Sequence, residues 1–567
     1  MEPEYINRFE CADVAFVNGS VITVDENDTL AEAVAVKGNR ILYVGSNDGL
    51  EGVTDDRTRF IDLKGRTLMP GIVDTHYHAI LSGLVEPDAD AAIIDTFYEN
   101  CKSIAGILDV LRKAAALKKH GEWVSMMGYE PSLLPEQRHP TIEELDAAAP
   151  ANPVQCMHGG GHVCVYNSKA LALLGVFGAG DAVKYPVGEV EVKDGKLTGL
   201  VRGHTHFRLW AEVGYSEEAQ KKAALKAQKH CLENGITSIH DCGEFGKASY
   251  HIMQKLCTSG EFIVRTYMML HSVLGKPFSK EDNEHWLGLG LMSGLGDPHF
   301  RIGSSKFMID GGSGAPSCGT RAPYSHDPSL PREFGWQRGE VAEYIKKIND
   351  AECQATAHAI GDLAIEYMVE GYEKAFGANP RPDLRHRIEH CTITDQDLVS
   401  RMAKMNICPS VNVSSIYKLG RKFLDFYGEE RNKNICALRS MLDASIKCSV
   451  HSDTPSYPAG MATLDAAVNR CDRESSYQCD KTQAISVMEA IRCATYNGAY
   501  ASFEEGIKGS IKPGKLADMI VLSGDILSIP PENIFKLDVD ITMIDGAICY
   551  SSESEHSSGA TDSSRSK

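Results

Sequence analysis

The stretch GIVDTHYH, Gly71 to His78, decides how the rest of the chain is read. It is an apolar run that ends in two histidines one residue apart. Side chains alternate along a strand, so His76 and His78 share one face at the strand's end. Imidazole is a common nitrogen ligand for transition metals. Strands that bind nothing also carry such pairs, so the meaning of this one depends on its company.

The company comes in four later runs, each short, β-prone and followed by turn residues. Residues 301–312 (RIGSSKFMIDGG) carry Lys306, and residues 355–362 (ATAHAIGD) carry His358. Residues 385–391 (RHRIEHC) carry His390, and residues 446–455 (IKCSVHSDTP) carry Asp453. In a βα barrel the carboxyl ends of the strands form the active-site face. Three further strand-like runs, NGITSIHDC (234–242), FIVRTYMML (262–270) and NICPSVNV (406–413), stand among them. Amphipathic helical stretches separate most of these runs, the pattern of an α/β chain folded as a (β/α)8 TIM barrel.

In this order and setting His76, His78, Lys306, His358, His390 and Asp453 resemble the ligand set of the amidohydrolase superfamily. The likeness is to its family-3 branch, the N-substituted formamide deformylase-like metal-dependent hydrolases. It runs from about residue 12 to residue 550 and includes the entry phrase LMPGIVDTHYH and the exit phrase GSIKPGKLADMIVL (509–522). The resemblance implies one or two divalent metal ions at these six residues. Zinc is the first expectation, and manganese, iron and nickel suit the same donors. It also implies that carbon dioxide carboxylates Lys306, which then bridges two metals. A lysine ammonium repels cations, so Lys306 must be neutral or carboxylated to ligate. Bound metal lowers the pKa of water and polarises a carbonyl. Asp453 would take the proton from that water and pass it to the leaving nitrogen. Plainer roles exist for each residue alone: an ion-pair lysine, two core histidines, and an N-cap at Asp453 before Thr454-Pro455.

Composition fits a large soluble enzyme. The 567 residues exceed one ordinary domain. Acidic residues outnumber basic ones 77 to 58, a net charge of -19, which disfavours nucleic acid and anionic membranes as partners. The 17 cysteines show no paired CxxC spacing and read as reduced thiols of a cytoplasmic protein. The N-terminus MEPEYINRFE lacks the apolar core of a signal peptide, and no apolar run reaches the ~18 residues of a membrane span.

Residues 12–65 read as short strands, with hairpin signals at Asn18-Gly19 and Gly38-Asn39, and a matching all-β pattern returns near the C-terminus. We therefore expect residues 1–65 and 506–550 to form a β-sandwich and residues 66–505 the barrel domain. The gap between His78 and Asn234 is too long for one βα unit, so residues 80–215 read as an insertion or lid. The Ser-rich tail, 551–567, is expected to be disordered.

Five more residues are candidates for substrate binding: His162, His240, Asp310, Arg321 and His451. The insertion segment containing Gly160-Gly161-His162-Val163 and Tyr166-Asn167-Ser168 resembles a family segment, with Gly160 and Val165 departing from the family's Asp and Trp. Gly159-Gly160-Gly161 lacks the lysine and context of a phosphate loop; close approach to a ligand and a plain turn are both open. His451 stands where the family has glycine. By alternation it shares a face with Asp453, so it could contact substrate, orient Asp453, or be a core histidine. Arg321 could bind a carboxylate or be a surface arginine. His204 and His206 form a second His-x-His with no accompanying ligands.

The reading is a metal-dependent amidohydrolase cleaving an amide-like C–N bond, N-substituted or cyclic, in a small molecule. Relatives' habits imply a homo-oligomer. The alternatives are deamination, ester hydrolysis or decarboxylation on the same frame, and a metal-free scaffold protein.

Overall fold

Eight strands, taken in chain order, form one parallel sheet: β1 (Ile72–Tyr77), β2 (Ile236–Asp241), β3 (Arg265–Leu270), β4 (Phe300–Met308), β5 (Ala355–Ala359), β6 (Arg387–His390), β7 (Cys408–Val411) and β8 (Ser449–Val450). The computed structural model describes residues 11–552 apart from 88–90, 98–100, 187, 244, 272–284, 315, 331, 333 and 334. Sequence neighbours pair throughout, in parallel, from β1 to β8. The barrel closes where β8 meets β1. There Asp453 N–H donates to the His76 carbonyl at 3.0 Å, and the Thr75 hydroxyl meets Ser449 Oγ at 3.0 Å. All eight strands were legible as separate runs, and the expected TIM barrel is the observed fold.

Strands covered on both sides must bury every residue, and β1, β2, β3, β5, β6, β7 and β8 do. The outer face is covered by helices such as Glu217–Glu233, Arg338–Asp350, Asp362–Ala378 and Gln396–Lys404. The last shows how local sequence sets the element. Asp395 caps its N-terminus by accepting from Leu398 N–H, and Leu398, Val399 and Met402 form its buried stripe. Each fully buried aliphatic side chain of this kind stabilises by roughly 1.5–3 kcal/mol. The barrel's interior is polar. Thr75, Ser410, Thr356, Arg387 and Glu389 are all 0% exposed and hydrogen-bonded to one another or to backbone.

Between β1 and β2 lies a seven-stranded mixed sheet, from Val85–Glu86 at one edge to Val190–Lys193 at the other. It has its own core, including Ile107, Leu111, Val124, Met126, Val154 and Cys156. Both chain ends build two further sheets. One has four strands, within residues 14–62. The other has six: three N-terminal strands, the last being Thr67–Pro70, and Met519–Leu522, Val539–Ile544 and Ala547–Ser551. They share a core of Phe16, Val34, Val36, Leu68, Met519 and Met543. Arg265 of β3, 1% exposed, binds Asp518 at 2.6 Å and Asp545 at 2.6 Å, fastening the C-terminal strands to the barrel.

Two local expectations change. Gly38-Asn39 does turn a hairpin, between Ala33–Lys37 and Arg40–Gly45, with Gly38 at φ +55°. Asn18-Gly19 does not. Asn18 adopts φ +56°, but Val14–Val17 and Ser20–Ile22 join different sheets, so the turn hands the chain from one layer to the other. Ser551 ends a strand rather than opening a disordered tail, and the remaining tail from 553 lies outside the described residues. Among the described residues no helix is long and apolar enough to cross a membrane.

Candidate metal centre

The six residues singled out by order and spacing line one cavity of about 80 Å³ at the carboxyl ends of the barrel strands: His76 in β1, His78 just after it, Lys306 in β4, His358 in β5, His390 ending β6 and Asp453 after β8. His76 Nε2 lies 3.2 Å from Lys306 Nζ and 3.5 Å from Asp453 Oδ1. His78 Nε2 lies 3.0 Å from the same Asp453 oxygen. The His390 ring is 4.5 Å from that of His76 and 4.4 Å from that of His358. The His358 Nε2 is 3.1 Å from the Gly311 carbonyl.

Two of these residues have a left-handed backbone, His390 at φ +68° and Asp453 at φ +60°. A non-glycine residue there costs of order 1–3 kcal/mol and persists only where its surroundings fix it. For Asp453 the fixing bonds are its N–H to the His76 carbonyl and Asn412 Nδ2 to its Oδ2 at 3.4 Å.

Burial holds the imidazoles of His76, His358 and His390 well below the usual histidine range, and nearby Lys306 and the other rings push the same way. They are therefore neutral, the form with a lone pair to give a metal. His390 Nδ1 has no hydrogen-bond partner among the described residues although it is buried. Concentrated neutral nitrogen donors, a carboxylate and an orphaned buried nitrogen suit a divalent cation with mixed nitrogen and oxygen ligands.

Beneath the cluster lies a support that sequence reading missed. Glu389 Oε2 accepts from His76 Nδ1 at 2.8 Å, which fixes the tautomer and aims Nε2 at the cavity. Glu389 is itself held by Arg387 Nε at 2.8 Å and Thr356 Oγ1 at 2.6 Å. Arg387 also donates to the Thr75 carbonyl and to His240 Nδ1. The signal was present in RHRIEHC, where Arg387 and Glu389 alternate with His390's neighbours onto the inward face, but the partner strand was not. Cys242 is a second omission; its thiol lies with His76 and His78 in one group whose ligand atoms are within 4.8 Å.

The structure disperses the tentative substrate contacts. His162 does line the cavity, its ring 4.9 Å from His358, with burial pulling its pKa down to about 4. Gly312 allows this approach, because a Cβ there would fall 2.9 Å from the His162 ring. His240 does not line the cavity; it sits below, accepting from Arg387. Asp310 lies beside the cluster, its Oδ1 3.6 Å from His358 Nε2, but does not line the cavity; it accepts from the N–H groups of Gly319, Ile360 and Gly361, and burial pushes its carboxyl up to about 7. Arg321 is taken by Glu366 and Asp395 outside the cavity, so a substrate carboxylate would have to displace both. His451 is wholly buried, stacked on His76, and does not line the cavity. His206 is a satisfied core histidine between Tyr166 Oη and the Gly161 carbonyl. Gly160 and Gly161 line the cavity within a tight turn, Gly161 at φ +74°.

The insertion supplies the opposite wall: Met127, Phe207 and Trp210, with Leu81 and Met308 beside them. These five residues are the apolar part of a lining whose remainder is mostly polar. A cleft of about 10 Å³ shares His162, His358, His390 and Asp453 with it. Through His158 and Gly314 the cleft also borders an outer cavity of about 640 Å³.

Comparison with known proteins places the chain in a family. The sequence profile described as the amidohydrolase family matches residues 59–550. YtcJ of Bacillus subtilis (strain 168) is 27% identical over 543 residues, covering 94% of this chain and 98% of that protein. N-substituted formamide deformylase of Arthrobacter pascens is 26% identical over 553 residues, covering 95% and 98%. The crystal structure of an uncharacterized metal-dependent hydrolase from Pyrococcus horikoshii OT3 superposes with a TM-score of 0.71 at 23% identity, covering 91% of this chain and 99% of that one.

Proposed function

The chain belongs to the amidohydrolase family, and from that premise we propose that it hydrolyses an amide-like C–N bond of a small molecule, in an N-substituted amide or formamide or a cyclic amide. The observation that carries this reading is the single cavity in which a neutral histidine cluster and Asp453 face an apolar wall. Polar chemistry on one side and a dry contact on the other suit an amide whose nitrogen bears an apolar group.

His76, His78, His358, His390, Asp453 and Lys306, the last as a carbamate formed with carbon dioxide, would hold one or two divalent ions, zinc first among them. When bound, such ions supply Lewis acidity at the carbonyl and lower the pKa of water towards neutrality. Asp453 takes the proton from the attacking water and returns it to the departing nitrogen, which leaves poorly without it. Its two oxygens serve this exchange, one facing His76 and His78 and the other facing Asn412. Glu389 keeps His76 Nε2 turned to the cavity throughout. His162, neutral through burial, can donate one hydrogen bond to the substrate carbonyl side. The wall of Met127, Phe207 and Trp210 excludes water and holds the N-substituent.

None of the 17 cysteines forms a disulfide, which supports a reducing, cytoplasmic setting. The test is product analysis on a panel of N-substituted formamides and amides. Amine and acid should appear in equal amounts and stop after chelation. Release of ammonia alone or of carbon dioxide would replace the proposal with deamination or decarboxylation.

A further inference from the structure

Of the rings packed at the centre, His451 stands apart because it faces no cavity. It is 0% exposed. Its ring stacks on His76 at 4.7 Å and 28°, and lies 5.2 Å from His390. Ligand nitrogens of His76, His390 and His451 all lie within 4.8 Å of one another. The His76 backbone lies at the margin of hydrogen-bond reach of His451, and neither Nδ1 nor Nε2 has a partner of normal geometry among the described residues.

A dry imidazole with so little hydrogen bonding is costly to keep. Buried groups left this way ask for a partner of another kind, an ion among them. The neighbours narrow the choice. His76 Nδ1 is committed to Glu389, which leaves Nε2 to ligate. His390 Nδ1 is also without a hydrogen-bond partner among the described residues. The Arg387 guanidinium beside His451 is engaged with Glu389, Thr75 and His240. The three rings thus bring imidazole nitrogens from three strand ends to one place.

We propose that His451 is a metal ligand that joins His76 and His390 in a three-imidazole face, reaching the ion from inside the barrel while substrate approaches from the cavity. This rests on the metal-dependent reading above. An added imidazole favours zinc, iron, nickel or copper over the oxygen-seeking magnesium and calcium.

The experiment uses the full chain loaded with zinc alone. Anomalous diffraction at the zinc edge locates the ion, and a His451 nitrogen about 2.0–2.1 Å from it is expected. His451→Phe, which keeps a ring but no donor, should lose zinc to a competing chelator about 10- to 100-fold more readily. His451→Gly should regain zinc affinity on adding imidazole and not on adding toluene. An ion beyond bonding reach of His451, or a His451→Phe protein that holds zinc like the wild type, overturns the proposal and leaves the metal-dependent reading standing. Wild-type protein that takes up no zinc overturns both.

Discussion

The barrel side of the cavity and the insertion side are built by opposite rules. On the barrel side the functional groups project from strand ends, and two of them are held from behind: His76 by Glu389, itself held by Arg387 and Thr356, and Asp453 by the His76 carbonyl. On the insertion side Met127, Phe207 and Trp210 offer apolar surface with few fixed polar bonds. Rigid, hydrogen-bonded positions suit the bond-breaking chemistry, which tolerates little displacement. An apolar wall on a separate sheet can vary with substrate without disturbing the ligands. On the proposed function the contrast makes reaction and selectivity separable, and the variants below strain that separation.

The largest effect belongs to the barrel side. Asp453→Asn should lower kcat by about 10²–10⁴-fold, because proton transfer is removed, while metal content falls little. Steady-state rates beside elemental analysis check this; near-normal turnover would contradict Asp453 as the proton carrier.

The joint between the sides comes next. Glu130, just past the insertion strand Val124–Tyr129, pairs with His158 at 2.9 Å and with Lys422 of the barrel helix Ser415–Asn432 at 2.7 Å. Burial alone would raise its carboxyl, but His158 and Lys422 outweigh burial and hold it at about 2, against 4.5 unpaired. A carboxyl depressed in the folded state stabilises above its unfolded pKa and loses that contribution as pH falls towards the folded one. Glu130→Gln should therefore cost about 3 kcal/mol at pH 7, and its deficit should shrink as pH drops from about 5 towards 2. Chemical denaturation across that range measures it; a deficit independent of pH would deny the ion pair.

Smaller effects separate the sides further. Glu389→Gln should weaken metal binding by about 10- to 100-fold, by loosening His76, and activity should return with excess metal. Trp210→Ala should leave metal content unchanged and lower kcat/KM by about tenfold for bulky N-substituents, with little change for small ones. If instead Trp210→Ala lost metal, the two sides would not be separable.

What could be read from the chain follows the same divide. The six cavity residues were legible because each combines a ligating side chain with a strand end, and their order along the chain is the order around the barrel. Glu389 and Arg387 were visible as residues but not as a support, because that role depends on β1 and β6 meeting across the barrel. Arg321 looked available because its partners Glu366 and Asp395 stand 45 and 74 residues away. Alternation put His451 on the face of Asp453, but Asp453's left-handed backbone breaks the alternation at that point. Phe207 and Trp210 lay in an insertion whose fold no spacing rule fixes.

The central claim is that the cluster at the strand ends holds metal. Metal per chain, measured by elemental mass spectrometry on protein prepared without chelator and with bicarbonate, tests it most directly. We predict one to about two equivalents in the wild type, two if Lys306 is carboxylated, and little in His76→Ala. Wild-type protein that binds none after supplementation, or a His76→Ala variant with full metal content, would contradict it.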